Sequence, residues 1–226
     1  MRALPVLMFL VLAAVPVAAD PAVTVTGRGE VFAAPDEATV TVGVTTQAPE
    51  ASVAMRDNAD AMSAVLARLV EIGIAERDLQ TTSLSLQPRW DHRQTQDGQP
   101  RITGFVAINM LTVRVRDLDA LGSVLDTTLG DGANTLGGLS FGIADDRALR
   151  DEARRAAVAD ATAKARVLTE AAGVTLGRVE EIVEGGAMPG PFPRARMEMA
   201  MDASVPVAPG EVSLDAVVTI TWSLEQ

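Results

Sequence analysis

Cysteine and tyrosine are absent from the 226-residue chain, and histidine occurs once, as His92. Without a thiol there is no disulfide, no cysteine nucleophile and no residue to carry a lipoprotein lipid. One imidazole is too little for a zinc site built on histidine, so His92, beside Trp90 in the polar stretch PRWDHRQTQDGQPR, reads as an exposed hairpin tip or an oligomer contact. Basic residues are scarce too: 19 Lys and Arg against 30 Asp and Glu give a formal net charge of −11. Such a surface repels phosphate backbones and excludes nucleic acid as a partner. After Asp20 every apolar run is shorter than a membrane span or alternates with polar residues, so no transmembrane segment is expected in the mature chain.

The one long apolar run comes first. Arg2 precedes an unbroken stretch from Ala3 to Ala19, and Val17-Ala18-Ala19 supplies the small residues of a signal-peptidase site. The run falls short of the ~20 residues needed to span a bilayer and holds Pro5 and Pro16. The expectation is a signal peptide over 1–19 and a soluble periplasmic domain over 20–226, as one large domain or two subdomains.

Apolar and polar residues alternate at period two in VTVTGRGEV and ATVTVGVTT, with the turn signal Pro35-Asp36 between them, which predicts two strands. A helix follows from Pro49 to Gly73, with Met55, Ala59, Met62, Leu66 and Leu69 at spacings of three and four. TTSLSLQP and GFVAINMLTVRV alternate again and read as a hairpin with a long polar arm. DLDALGSVLDTTLG reads as a second helix, capped by Asp117, with Leu118, Leu121, Leu125 and Leu129 on one face. The third helix, ending at Gly173, carries Leu149, Ala153, Ala156, Ala163, Val167 and Ala171 in a narrow stripe. Asp146 with Arg150, Asp151 with Arg155 and Asp160 with Lys164 form its i, i+4 pairs.

RVEEIVE is a short strand, residues 185–210 are a Gly/Pro/Met-rich loop, and the chain closes on a strand in which Val212, Leu214, Ala216, Val218, Ile220, Trp222 and Leu224 take successive alternate positions. The order ββ-α-ββ-α-β-α-ββ predicts an α+β fold: a mostly antiparallel sheet with helices on one face, containing a split βαβ (ferredoxin-like) unit from Glu37 to Ala144. Helices between strands also argue against a transmembrane barrel.

Among motifs, GLSFG (Gly138 to Gly142) spells the G-x-S-x-G nucleophile elbow. An elbow needs a buried strand leading into the serine, a helix directly after it, and a later histidine. Here turn material precedes Ser140, strand follows it, and His92 comes earlier, so Ser140 reads as a residue on a plain strand. The alanine-rich face of the third helix is expected to pack over Gly138 and Gly142, with Leu139, Phe141 and Ile143 on the other side. GRGE and GDGANTLGG lack a Walker lysine and the strand-GxGxxG-helix context, and DGAN lacks calcium-loop spacing. Glu180-Glu181 and Asp145-Asp146 do not make acid/base couples, since strand neighbours face opposite ways and carboxylates at a helix start cap it. Met197, Met199 and Met201 offer three thioethers that suit Cu(I), or else serve as apolar filler or an oxidant sink.

Several segments in order carry a resemblance that no single motif supplies. They are VTGRGEVFAAPDEATVTVGV with Gly27, Gly29, Pro35 and Asp36; DLQTTSLSLQP; ITGFVAINMLTVRVRDLDALGSVLD; GANTLGGLSFGI; and LRDEARRAAVADATAKARVLTEAAGVTLGRV through to PGEVSLDAVVTITWSLE. Together they resemble the SIMPL-domain family of YggE-like and immunogenic periplasmic proteins, over nearly all of the mature chain. The resemblance implies an exported α+β protein that assembles into large homo-oligomers and is linked to envelope and oxidative-stress responses. It carries over no catalytic residue, and the chain departs from the family in lacking tyrosine. The combined expectation is a non-enzymatic periplasmic protein that self-associates through sheet edges and the excursions at 88–101 and 185–210. No catalytic, cofactor-binding or metal-binding residue is assigned and no cofactor is implied. A copper protein using Met197, Met199 and Met201, and a serine hydrolase at Ser140, stand as alternatives.

Overall fold

The structure, a computed structural model, describes residues 20–91, 100–130, 132–185 and 207–225. The expected signal segment and most of the 185–210 loop lie outside these residues. The elements follow the order ββ-α-ββ-α-β-α-ββ: β1 (Ala22–Ala33), β2 (Glu37–Ala48), α1 (Ala51–Glu71), β3 (Leu79–Asp91), β4 (Arg101–Val115), α2 (Leu121–Gly130), β5 (Thr135–Gly142), α3 (Arg147–Ala172), β6 (Thr175–Glu184) and β7 (Val212–Glu225). The strands form two sheets rather than one, and the chain divides into two compact units whose boundaries fall inside β1, α3 and β7.

One unit, Glu30–Glu152 with Met188–Asp215, holds the four-stranded sheet β3-β4-β2-β5. All three neighbouring pairs are antiparallel, and β4 lies between β2 and β3, which is the split βαβ arrangement expected from the element order. Val40, Val42 and Val44 of β2 pair across to Val113, Leu111 and Asn109 of β4. The apolar members of this face are buried beneath Met62, Val65 and Leu69 of α1 and Leu121, Val124 and Leu125 of α2. Asp117 caps a single 3₁₀ turn leading into α2, its side chain accepting from Asp119 N at 3.0 Å.

The buried stripe of α1 is Ala54, Asn58, Met62, Val65 and Leu69, turned from the expected one so that exposed Ala59 leaves it and Asn58 enters. Asn58 is 1% exposed, and its Nδ2 donates to the carbonyls of Val44 (2.8 Å) and Ala107 (3.2 Å), tying α1 to two strands at once. In α2, Val124 and Thr128 join Leu121 and Leu125 in the buried set, while Leu129 is exposed.

The second unit, Met1–Gly29 with Ala153–Ala187 and Ala216–Gln226, holds the three-stranded sheet β1-β7-β6. β6 and β7 are antiparallel. So are β1 and β7, since Thr24 bonds Thr221 (3.0 Å) and Thr26 bonds Thr219 (3.1 Å), one index rising as the other falls. Ala216, Val218, Ile220 and Trp222 alternate inward as the closing period-two pattern requires.

The helix α3 buries Ala153, Ala157, Ala161, Ala165 and Thr169, a strict i+4 ridge, whereas Val167 of the expected stripe is 66% exposed. This ridge meets Gly27 and Gly29 of β1 rather than Gly138 and Gly142. A Cβ built at Gly27 would lie 2.5 Å from Ala161 N, and one at Gly29 would lie 2.5 Å from Ala157 N. Alanine on the helix and glycine on the strand let two backbones approach where larger side chains would hold them apart.

Candidate functional site

Ser140 occupies the middle of β5, opposite Thr39 of β2, and Leu139 and Phe141 on either side of it pack against the core. The strand runs on to Gly142, and α3 begins only at Arg147. A nucleophile elbow requires strand, sharp turn and helix to meet at the serine, and the chain turns elsewhere. Nothing lies within 4 Å of a Cβ built at Gly138, and one at Gly142 would meet only the Glu37 side chain, at 3.7 Å. The expectation of a helix packed over this glycine pair is therefore corrected: α3 takes its glycine partners from β1. His92 and Met197, Met199 and Met201 lie outside the described residues.

Among the described residues the carboxyls whose titration is shifted are each held by a cation. Asp78, its side chain 6% exposed, accepts a bidentate pair from Arg116, Nε to Oδ2 at 2.9 Å and Nη2 to Oδ1 at 2.7 Å. These bonds hold its carboxyl below the usual carboxylate range and raise the guanidinium. The Asp145-Asp146 neighbours split between two arginines. Arg147 grips Asp145 at 2.8 and 2.7 Å and brings its carboxyl down to about 2; Arg150 donates to Asp146 at 2.7 Å and lowers that one too. Asp160 is lowered by Lys164 at 2.6 Å and by the Arg28 N–H at 2.8 Å. A general acid needs its carboxyl raised toward neutrality, and every shift here runs the other way. Among the described residues no group of three or more His, Cys, Asp or Glu is placed to hold a metal.

The remaining surface of note is the arm formed by β3 and β4. Among the described residues β3 pairs only with β4 and stands at the end of the sheet order. Leu84 and Leu86 stand opposite Asn109 and Ala107 on the face that α1 covers further in, yet they are 56% and 40% exposed because β3 lies at the rim. Trp90 and Ile102, paired across the arm, are exposed as well. Alternation in TTSLSLQP announces a strand with one apolar face; it carries no sign that the face would be left uncovered. Arg89, where charge first reappears along the strand, reaches back over the sheet to Gln47 Oε1 at 3.0 Å.

The family described as SIMPL, a protein of unknown function (DUF541), matches residues 23–222, both sheets included. The chain belongs to the SIMPL family. Among its relatives, the 26 kDa periplasmic immunogenic protein of Brucella melitensis is 40% identical over 211 residues, covering 90% of this chain and 84% of that one. The uncharacterized protein YggE of Escherichia coli K12 is 31% identical over 211 residues, covering 91% and 84%. The SIMPL match spans the glycine-bearing β1, the β3/β4 arm and the closing β7 alike. None of its described helices is long and apolar enough to cross a membrane.

Proposed function

We propose that this SIMPL chain is exported to the periplasm, after removal of residues 1–19, and works there as a non-enzymatic, self-associating protein of the envelope and its oxidative-stress response. The observation that carries the reading is the rim of the four-stranded sheet, where a 13-residue strand has no second partner among the described residues and stands beside exposed leucines. Unpaired strand edges are templates for further strands, and soluble proteins ordinarily blunt them. Export is supported by the leader-like start of the sequence and by the name of the Brucella relative. A structural role is supported by the Ser140 context and by carboxyls clasped in ion pairs. Size-exclusion chromatography with light scattering on the protein recovered from a periplasmic extract tests both parts. A multimer at micromolar concentration is expected; a strict monomer, or protein found only in the cytoplasmic fraction, overturns the reading.

A further inference from the structure

Among the described residues four strand edges bound the two sheets, and three of them are defended along their length. On β1 the Arg28 N–H donates to Asp160 and the Thr26 carbonyl accepts from Lys164 at 3.4 Å, so α3 clasps that edge. β6 carries Arg178, Glu180, Glu181 and Glu184 within its ten residues. β5 is eight residues long, with Gly137, Gly138 and Gly142 and a register shift against β2. β3 is 13 residues long and holds no ionisable side chain from Leu79 to Pro88. Charge, a covering element, shortness, proline and bulges are the devices that keep strand edges apart; β3 has a bulge at Thr82 and a proline at Pro88, and between these two it has neither charge nor, among the described residues, a further paired strand.

The geometry points to a second copy of this chain as the occupant: β3 pairs antiparallel with the second copy's β3 about a two-fold axis at Ser85, joining two four-stranded sheets into one. This inference rests on the self-association reading above and specifies its surface. Electrostatics selects this edge for a contact between copies, because two acidic chains repel each other least where they meet along an uncharged strand. Self-complementarity favours it further. Thr82 is the extra residue of a β-bulge, lying between Thr81 opposite Leu111 and Ser83 opposite Met110, and Pro88 has no N–H. These two bracket Ser83–Gln87 as the regular part of the edge.

A two-fold at Ser85 sets Leu84 against the second copy's Leu86 and Leu86 against its Leu84, gathering four exposed leucines on one face. Ser83 meets Gln87 on the other face, and the bulged Thr82 falls opposite Pro88, so the missing donor faces the irregular residue. Shifting the register by one residue would set each leucine against a serine or glutamine on the wrong face. An isologous contact of this kind closes on itself, and any larger assembly is built from such pairs.

A cysteine-free chain makes the test direct. Facing residues in an antiparallel pair have Cα atoms about 4.5–5.5 Å apart, within disulfide reach, so Ser85→Cys introduces one thiol at the axis. Mild oxidation of this variant, expressed as the full chain and purified, is expected to give covalent dimer as the main species on non-reducing gels. Ser63→Cys, exposed on α1, is expected to stay largely uncrosslinked. Leu84→Lys with Leu86→Lys is expected to lower the mass seen by light scattering while leaving the far-UV circular dichroism spectrum unchanged, since both leucines lie at the rim of the sheet. A multimer in which Ser85→Cys crosslinks no faster than Ser63→Cys overturns the β3 contact and leaves self-association standing. A monomer by light scattering that also fails to crosslink overturns both.

Discussion

Adding one methyl group at Gly27 tests the packing of the three-stranded sheet. An alanine Cβ there would stand 2.5 Å from Ala161 N and 2.7 Å from Ala161 Cβ, with the Ala157 carbonyl oxygen nearer still. Non-bonded carbon contacts settle near 3.5–4.0 Å, so α3 must withdraw by about 1 Å or the strand must bend. The obstacle is helix backbone, which cannot rotate aside as a side chain can. Overpacking ordinarily costs about 1–3 kcal/mol, and a rigid obstacle puts Gly27→Ala at the upper end, about 3 kcal/mol. At roughly 2–4 °C per kcal/mol for a chain of this size, the melting temperature should drop by about 6–12 °C. Ala161→Gly in the same protein should restore little, because it removes the Cβ contact and leaves the backbone ones. Gly138→Ala is the internal control: with nothing within 4 Å of its Cβ, it should be neutral or slightly stabilising through the unfolded state. Thermal melts followed by circular dichroism read all three variants. A Gly27→Ala protein melting within about 1 °C of its parent, or a Gly138→Ala protein losing more than Gly27→Ala, would refute the assignment of α3 to β1.

Two further predictions concern polar groups. Asn58→Asp puts a carboxylate against the carbonyls of Val44 and Ala107 that Nδ2 now serves; an unpaired buried charge costs about 3–5 kcal/mol, whereas Asn58→Leu should lose only about 1–3 kcal/mol. Urea unfolding reads the pair, and Asp tolerated better than Leu would contradict the placement. Asp78, Asp145, Asp146 and Asp160 all titrate below 3.8 in the folded protein. On lowering the pH, protons bind the unfolded chain first, so this stabilisation is complete above about pH 4 and is lost as the pH falls through the lower folded values. Unfolding midpoints should therefore hold level from pH 7 to about 4 and decline below, less steeply in Asp78→Asn; an unchanged acid limb in that variant would remove Asp78 from the account.

The element order and the split βαβ unit were legible because a period-two pattern sustained over a whole strand has only one physical reading. The faces of the helices were less so. In α1 the stripe was phased on Met55 and Ala59, and the position at its centre is Asn58, a residue whose polarity hides its burial until the two strand carbonyls it serves are known. Alanine makes the same difficulty in α3. Ten alanines distributed around a 26-residue helix give several stripes of nearly equal weight. What chose among them was Gly27 and Gly29, more than a hundred residues earlier, because only the i+4 ridge 153-157-161-165 presents a continuous line of small side chains to them. Separation into two sheets was invisible for a related reason: alternation says that a strand has two faces, never which strand lies beside it.

Ser140 and Ser85 show what kind of function a sequence of this composition can announce. A nucleophile is defined by convergence, with base, orienting acid and oxyanion donors all within hydrogen-bond reach of one atom, so a five-letter string predicts it only when the surrounding turn and partners agree. GLSFG reads as strand from its flanks for that reason, and the strand continues through Phe141 to Gly142. Strand addition asks for much less: a row of backbone donors and acceptors, an absence of charge, and no neighbour already in place. The first two are written in LQTTSLSLQP; the third depends on β4 taking the inner side of β3, with no strand on the other side among the described residues, and that is a fact of topology. The same serine-and-leucine alternation would have been an ordinary buried strand had β3 and β2 exchanged places in the sheet.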